Sequence, residues 1–135
     1  MKMYVAGEWV GSDETTSITS PFDGSVVDEV PAADAAQVET ALAAAVEGAR
    51  QMQALTAYER QGILNRAAEL VAEQAEDLAE TMSREMGKPI KEARGEVGRM
   101  PDLLRLCGFE GAQLRGETLP IDAQVGAAGK FGFTL

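Results

Sequence analysis

Glu85-Met86-Gly87-Lys88-Pro89-Ile90-Lys91-Glu92-Ala93 is the stretch that decides how this chain is read. It invites a phosphate-loop interpretation, but that motif needs Gly-x-x-x-x-Gly-Lys-Ser/Thr after a strand. Here a helical pattern precedes a single Gly-Lys pair. A helix stop and restart explains the residues better: Gly87 takes the left-handed position that closes one helix, and Pro89 opens the next.

Working back from Gly87, Ile63, Ala67, Leu70, Val71, Leu78 and Met82 recur at helical spacing, with polar Gln74 interrupting the stripe. A break or bend is therefore expected near Gln74 to Asp77. Thr56-Ala57-Tyr58-Glu59 is a capping box that starts this helix, and Asp34-Ala35-Ala36-Gln37 is another that starts the helix before it. The earlier helix carries Val38, Ala41, Leu42, Ala45, Val46 and Ala49 on one apolar stripe. Working forward, the helix from Pro89 should carry Ile90, Ala93, Val97, Leu104 and Cys107 inward. Gly95, Gly98 and Pro101 weaken it, and Pro101 should kink it by removing a backbone bond. About three helices are expected.

The flanks read as β-structure. Met3-Tyr4-Val5 and Glu8-Trp9-Val10 flank Ala6-Gly7, where Gly7 supplies the positive φ of a tight hairpin. A second hairpin joins a strand at Ser17-Ile18-Thr19 to Ser25 through Val30. Its turn is Pro21-Phe22-Asp23-Gly24, with Asp23 bonding its own backbone and Pro31 stopping the second strand. Beyond Gly108, Gly116 to Ile121 is a loop leading into a short extended segment. Gly126-Ala127-Ala128-Gly129 reads as flexible, and Phe131, Phe133 and Leu135 alternate as on a strand. The sequence stops within that strand, which reads as a truncation. An unpaired strand edge there should pair with another chain or be disordered, with Gly132 facing away from the apolar row and admitting a second backbone.

Composition narrows the chemistry. The 135 residues contain no histidine, which removes Ser-His-Asp and Cys-His catalysis and any His-ligated metal site. One cysteine, Cys107, removes any internal disulfide or Cys-x-x-Cys motif. It lies beside Leu103, Leu104 and Leu106, so a buried, inert thiol is expected. Met52, Met82, Met86 and Met100 read as core filler. Glu69 with Glu73, and Glu92 with Glu96, sit one turn apart as solvated like charges rather than catalytic dyads. The formal charge of −10 disfavours nucleic acid and anionic membrane as partners. No apolar run spans a bilayer and the N-terminus lacks a signal-peptide core, so a cytoplasmic location is the expectation. A 135-residue domain would bury roughly two-thirds of its unfolded surface. The Ala-rich stripes, however, look shaped to cover a missing sheet, and marginal stability with exposed apolar faces is expected.

In order along the chain, five pieces resemble the N-terminal segment of the aldehyde dehydrogenase superfamily. Tyr4-Val5-Ala6-Gly7-Glu8-Trp9 is similar to its opening hairpin, and Ser20-Pro21-Phe22-Asp23-Gly24 with Val26-Val27 to the next. Tyr58-Glu59-Arg60, Ile63-Leu64 and Ala67-Ala68-Glu69-Leu70 resemble a family helix. Glu85 through Ala93 with Glu96-Val97 resembles the Glu-x-Gly-Lys-Pro signature, and Gly116-Glu117-Thr118-Leu119-Pro120 a later family element.

The resemblance implies an α/β parent fold with a Rossmann-like cofactor domain, this chain alone being α+β. Residues 1–31 would form the hairpins, 34–115 the helices of the cofactor-domain layer, and 124–135 the start of an oligomerisation strand. It implies NAD or NADP as cofactor, an aldehyde as substrate, a cysteine thiohemiacetal intermediate and a homo-oligomer. Leu55 to Arg60 and Lys130 to Leu135 lean towards the branch using small oxygenated or phosphorylated aldehydes, such as lactaldehyde or phosphonoacetaldehyde. The family's nucleophile, base, oxyanion asparagine and cofactor lysine match no position here, and Cys107 lacks the nucleophile's context. No catalytic, cofactor-binding or metal residue is therefore assigned to these 135 residues, and the isolated chain should be inactive. The alternative is a free-standing, non-catalytic assembly or binding module derived from the family.

Overall fold

In the computed structural model, which describes residues 1–134, small β-hairpins flank a helical centre. Strands β1 (Met3–Val5) and β2 (Glu8–Val10) pair antiparallel, Tyr4 opposite Trp9. Both turn residues have positive φ, Ala6 at 51° and Gly7 at 93°. That is the backbone of a type I′ turn, whose twist suits flanking strands. The Tyr4 and Trp9 rings meet edge to face, with centroids 5.2 Å apart.

Strands β3 (Thr15–Thr19) and β4 (Val26–Pro31) form the second hairpin, with an irregularity between Ile18 and Thr19. Its turn is built as its residue types require. Asp23 Oδ1 accepts from the Ser25 N–H at 3.0 Å and from the Ser25 hydroxyl at 2.7 Å, and Gly24 has φ 73°. These donors, the hydroxyl foremost, hold the Asp23 carboxyl below its usual value. Pro31 lies within β4 rather than ending it before that residue. As the last residue of an edge strand its missing N–H costs no ladder bond.

Four α-helices follow among the described residues, where about three were expected. Helix α1 (Ala35–Ala54) starts at the predicted capping box: Asp34 accepts from the Gln37 N–H at 2.7 Å, and Gln37 Oε1 accepts from the Asp34 N–H at 3.1 Å. Helix α2 (Ala57–Glu73) starts at the Thr56–Glu59 box. The bend foreseen near Gln74 is a full break: Gln74 ends α2 with φ −108° and ψ 17°, and α3 (Ala75–Met86) begins beyond it. Gly87 closes α3 at φ 66°, and α4 (Ile90–Ala112) starts after Pro89. Helix α4 continues through Pro101, which is buried on its seam.

The core is a helix–helix seam of small residues. Ala93, Val97, Pro101 and Gly108 of α4 are buried, as are Ala68 of α2 and Ala79 of α3. Ala79, Ala93 and Val97 form one cluster, ringed by Val71, Ala75, Met82 and Ile90. At the other end of the seam, a Cβ on Gly108 would lie 3.3 Å from Gln61 and 3.5 Å from Leu64. Early α2 thus meets late α4, and the two helices run antiparallel. Glycine and alanine at these crossings let the backbones approach closely.

The expectation for Cys107 fails because the seam runs through Leu104 and Gly108, one position away. Cys107 is exposed, correcting the expectation of a buried thiol. Leu104 is half-buried as expected. Met52, Met86 and Met100 are exposed rather than core filler, with only Met82 packed against the cluster. The apolar stripe of α1 lies in solvent, with Val38, Leu42 and Val46 between 45% and 57% exposed.

The C-terminal strand is also corrected. Thr118–Leu119 (β5) and Gly132–Phe133 (β6) pair antiparallel within this chain, so residues 132–133 are neither unpaired nor disordered. Glu117 O accepts from the Thr134 N–H at 2.9 Å. A Cβ on Gly132 would fall 2.7 Å from Ile121 Cδ1, so an isoleucine side chain of the same chain, not a second backbone, makes the close approach. The stretch expected to be flexible holds two turns, with Ala127 accepting from the Lys130 N–H and buried between Gly126 and Gly129. Leu135 lies outside the described residues.

Candidate functional site

The Gly87 junction is where chain segments distant in sequence converge. Gly87 sits under the second hairpin: a Cβ built on it would fall 2.8 Å from Pro21 Cγ. The Ser83 hydroxyl donates to the Lys88 carbonyl at 2.7 Å, satisfying a backbone acceptor left between the two helices. Lys88 reaches forward two turns of α4 and pairs with Glu96. That hydrogen bond, backed by the ammonium charge, holds the Glu96 carboxyl below its usual value. Ser20, Phe22, Arg84 and Ile90 border a shallow hollow of about 390 Å³ at this junction.

Further along α4, Arg94 pairs with Glu76 of α3, and its hydrogen bond lowers the Glu76 carboxyl in the same way. Arg66 accompanies Glu69 at 2.8 Å and Glu73 at 3.7 Å. The carboxylate pairs noted in the sequence therefore divide. Glu69 and Glu73 share one arginine on an exposed face, while Glu96 pairs with Lys88 and keeps 44% of its side chain exposed. These are structural ion pairs, mostly exposed and individually weak. Where α1 meets α2, the Arg60 guanidinium donates to the carbonyls of Met52 and Leu55. An arginine two residues after a helix-start tyrosine gave no sequence signal for that bridge.

Cys107 borders a hollow of about 210 Å³ with Met52, Leu64, Gly111 and Leu114, an apolar setting without a neighbouring base. Among the described residues, no cluster of three or more cysteine, aspartate or glutamate side chains could hold a metal ion. Lys88 and Arg94 are engaged by Glu96 and Glu76, and among the described residues no glycine-rich turn leads from a strand into a helix. The junction thus does not fit a dinucleotide phosphate.

What the helices do present is uncovered apolar surface. Besides its seam with α4, α2 carries Ile63, Ala67 and Leu70 along a groove of about 640 Å³, edged by Leu55, Glu59 and Arg66. Ile63 is 50% exposed and Leu70 39%. Together the two strips span about half of the α2 circumference, more than the stripe of roughly 100° that one packing partner covers. The whole chain exposes 10267 Å². A self-contained protein of 14.3 kDa exposes about 6,800 Å² by the usual surface–mass relation. The excess is about 3,500 Å². About half of the unfolded chain's surface is buried instead of the two-thirds a free domain reaches.

Four helices and small sheets, joined at a Gly-Lys-Pro junction, make a mixed α/β arrangement. The chain belongs to the aldehyde dehydrogenase family, whose model matches residues 9–133. Glutarate-semialdehyde dehydrogenase from Pseudomonas putida is 36% identical over 87% of this chain and 25% of its own length. The 3-sulfolactaldehyde dehydrogenase from Priestia megaterium is 30% identical over 98% of this chain and 28% of its own. Among solved structures, aldehyde dehydrogenase 21 from Physcomitrella patens, in complex with succinate, superposes with a TM-score of 0.88 at 32% identity. That match covers 98% of this chain and 28% of the other. The NADP-dependent glyceraldehyde-3-phosphate dehydrogenase from Bacillus halodurans, complexed with NADP, gives 0.85 at 33% identity over 93% and 27%. The chain thus spans about a quarter of the length of the curated relatives it matches. The recognition made from five sequence pieces and the mixed α/β class both hold.

Proposed function

We propose that these 135 residues are the N-terminal hairpin and helical layer of an NAD(P)-dependent aldehyde dehydrogenase, with the catalytic groups supplied by polypeptide outside them. The observation that carries this reading is the apolar exposure of α1 and of the outer strip of α2. A layer built this way is finished only when further structure packs on it. The assembled enzyme would oxidise an aldehyde to a carboxylic acid through a cysteine thiohemiacetal, the nicotinamide accepting hydride. Residues 1–31 serve as hairpins, 34–115 as the layer flanking the cofactor domain, and 124–135 enter the assembly sheet of a homo-oligomer. Relatives named for 3-sulfolactaldehyde and glyceraldehyde-3-phosphate support a small aldehyde bearing an oxygenated or anionic group as substrate. A cytoplasmic enzyme fits this chemistry, and among the described residues no helix is long and apolar enough to cross a membrane.

The test is direct. The purified chain is incubated with glyceraldehyde-3-phosphate, succinate semialdehyde or lactaldehyde, with NAD or NADP, while absorbance of the reduced nicotinamide is followed. No reduction above blank is expected, since losing even one member of a catalytic set typically costs 10³-fold or more. Turnover that Cys107→Ala abolishes would overturn the reading.

A further inference from the structure

Asp23-Gly24 is the one Asp-Gly step in the sequence, and both residues are exposed. Such a step carries chemistry of its own, because an aspartyl carboxyl can reach the next backbone nitrogen and glycine sets no side chain in the way. The Gly24 nitrogen attacks Asp23 Cγ: a Cγ–N bond forms, a Cγ–O bond breaks, and the amide proton and carboxyl hydroxyl leave as water. Water then opens the resulting succinimide ring. Breaking the new Cγ–N bond restores aspartate. Breaking the original bond from the Asp23 carbonyl carbon to nitrogen leaves isoaspartate instead, with the backbone rerouted through Cβ and Cγ.

Crowding does not oppose this closure, since a Cβ on Gly24 would meet nothing within 4 Å. Hydrogen bonds do. The Gly24 N–H donates to the Ser20 carbonyl at 2.8 Å, which engages the proton of the attacking nitrogen and fixes its direction. Asp23 Oδ1 accepts from the Ser25 hydroxyl at 2.7 Å and from the Ser25 N–H at 3.0 Å, which holds the carboxyl towards Ser25. The same donors favour the ionised carboxylate, whereas ring closure needs the protonated acid, whose hydroxyl is the leaving group. The Ser20 N–H donates to the Ser25 carbonyl at 2.8 Å and closes the loop behind them. We propose that Asp23-Gly24 is a masked site of isoaspartate formation, held unreactive by the Ser20 carbonyl on its nucleophile and by Ser25 on its electrophile. It reacts when the turn opens. The extra backbone carbon then breaks the register in which Ser20 meets Ser25, beside Pro21, the residue that sits over Gly87. Conversion thus loosens the second hairpin from the α3–α4 junction.

The experiment ages the full chain beside a synthetic peptide of residues 18–27 at near-neutral pH. Isoaspartate is read by proteolytic mapping with mass spectrometry and by enzymatic carboxyl methylation. The peptide should convert at least about tenfold faster, since each hydrogen bond given up is worth about fivefold. Ser25→Ala should speed conversion in the chain about fivefold, and Ser25→Thr, which keeps the hydroxyl, should hold the native rate. Asp23→Glu should abolish the signal, because closure then needs a larger, slower-forming ring. A chain that converts as fast as the peptide overturns the proposal. So does a Ser25→Ala variant no faster than the native chain, or a signal that survives Asp23→Glu. If Ser25→Ala also loses its helical circular dichroism, amide hydrogen exchange decides. The Gly24 N–H must then exchange more slowly in the native chain than in the peptide, and equal rates overturn the proposal.

Discussion

Gly87→Ala is the substitution that the junction should tolerate least. Gly87 is held at φ 66°, and a Cβ there would stand 2.8 Å from Pro21 Cγ. An L-residue in the left-handed region costs about 1–2 kcal/mol. The clash adds roughly 1 kcal/mol, at the low end of overpacking costs because Pro21 is exposed and can shift. A total of about 2–3 kcal/mol should lower the melting temperature by roughly 6–12 °C for a chain of this size. Thermal and urea unfolding followed by circular dichroism measure it. The two contributions separate in a double-mutant cycle, since Pro21→Ala removes Cγ and leaves the nearest remaining proline carbon at an ordinary 3.8 Å. Gly87→Ala should therefore cost less in the Pro21→Ala background. Gly87→Asn should cost less than Gly87→Ala, because asparagine visits the left-handed region more readily. If Gly87→Ala stays within about 0.5 kcal/mol of the parent, the surface-substitution range, the argument for this junction fails. Equal costs in both Pro21 backgrounds would remove its contact half.

Thr56→Ala should destabilise the chain by about 1 kcal/mol, read as a shift in urea midpoint, because the Glu59 N–H loses its side-chain acceptor. Val97→Ala removes methyl groups from the largest fully buried side chain among the described residues and should cost about 1.5–2 kcal/mol with unchanged helicity. Acid should weaken the fold. Glu76 and Glu96 have folded pKa values below their ordinary 4.5 through their hydrogen bonds to Arg94 and Lys88. Their contribution is therefore complete above about pH 4.5 and is lost as pH falls through the lowered values. Glu76→Gln should flatten the dependence of melting temperature on pH below 4.5, and an unaltered slope would show that the Arg94 pair does not report on folding.

The starts of α1 and α2 were legible in the sequence because a capping box is a local object. Asp34 with Gln37, and Thr56 with Glu59, need only their own three intervening residues to satisfy the backbone. The same holds for the Ala6-Gly7 and Asp23-Gly24 turns and for Gly87 as a helix stop, all decided by φ preference and short-range hydrogen bonds. The family, too, was readable, since its signature is a string of such local signals in order.

Tertiary structure alone decided which apolar residues are inside. The stripe of Val38, Leu42 and Val46 has helical periodicity, yet periodicity says that a face seeks burial and not what will cover it. The seam was settled by which small residues let two backbones approach: Ala68 and Gly108 lie in it, and Cys107, one position away, does not. The break at Gln74 could be suspected but not made definite, because its orientation depends on α3 finding Ala93 and Val97 across the core. The last strand shows the same division. Alternation of Phe131 and Phe133 announced extended backbone, but β5 supplied the partner, with Ile121 filling the space beside Gly132. Local chemistry determines the elements of this chain because their hydrogen bonds close within a few residues. Their burial is determined only by what packs against them, since the hydrophobic effect has no direction of its own.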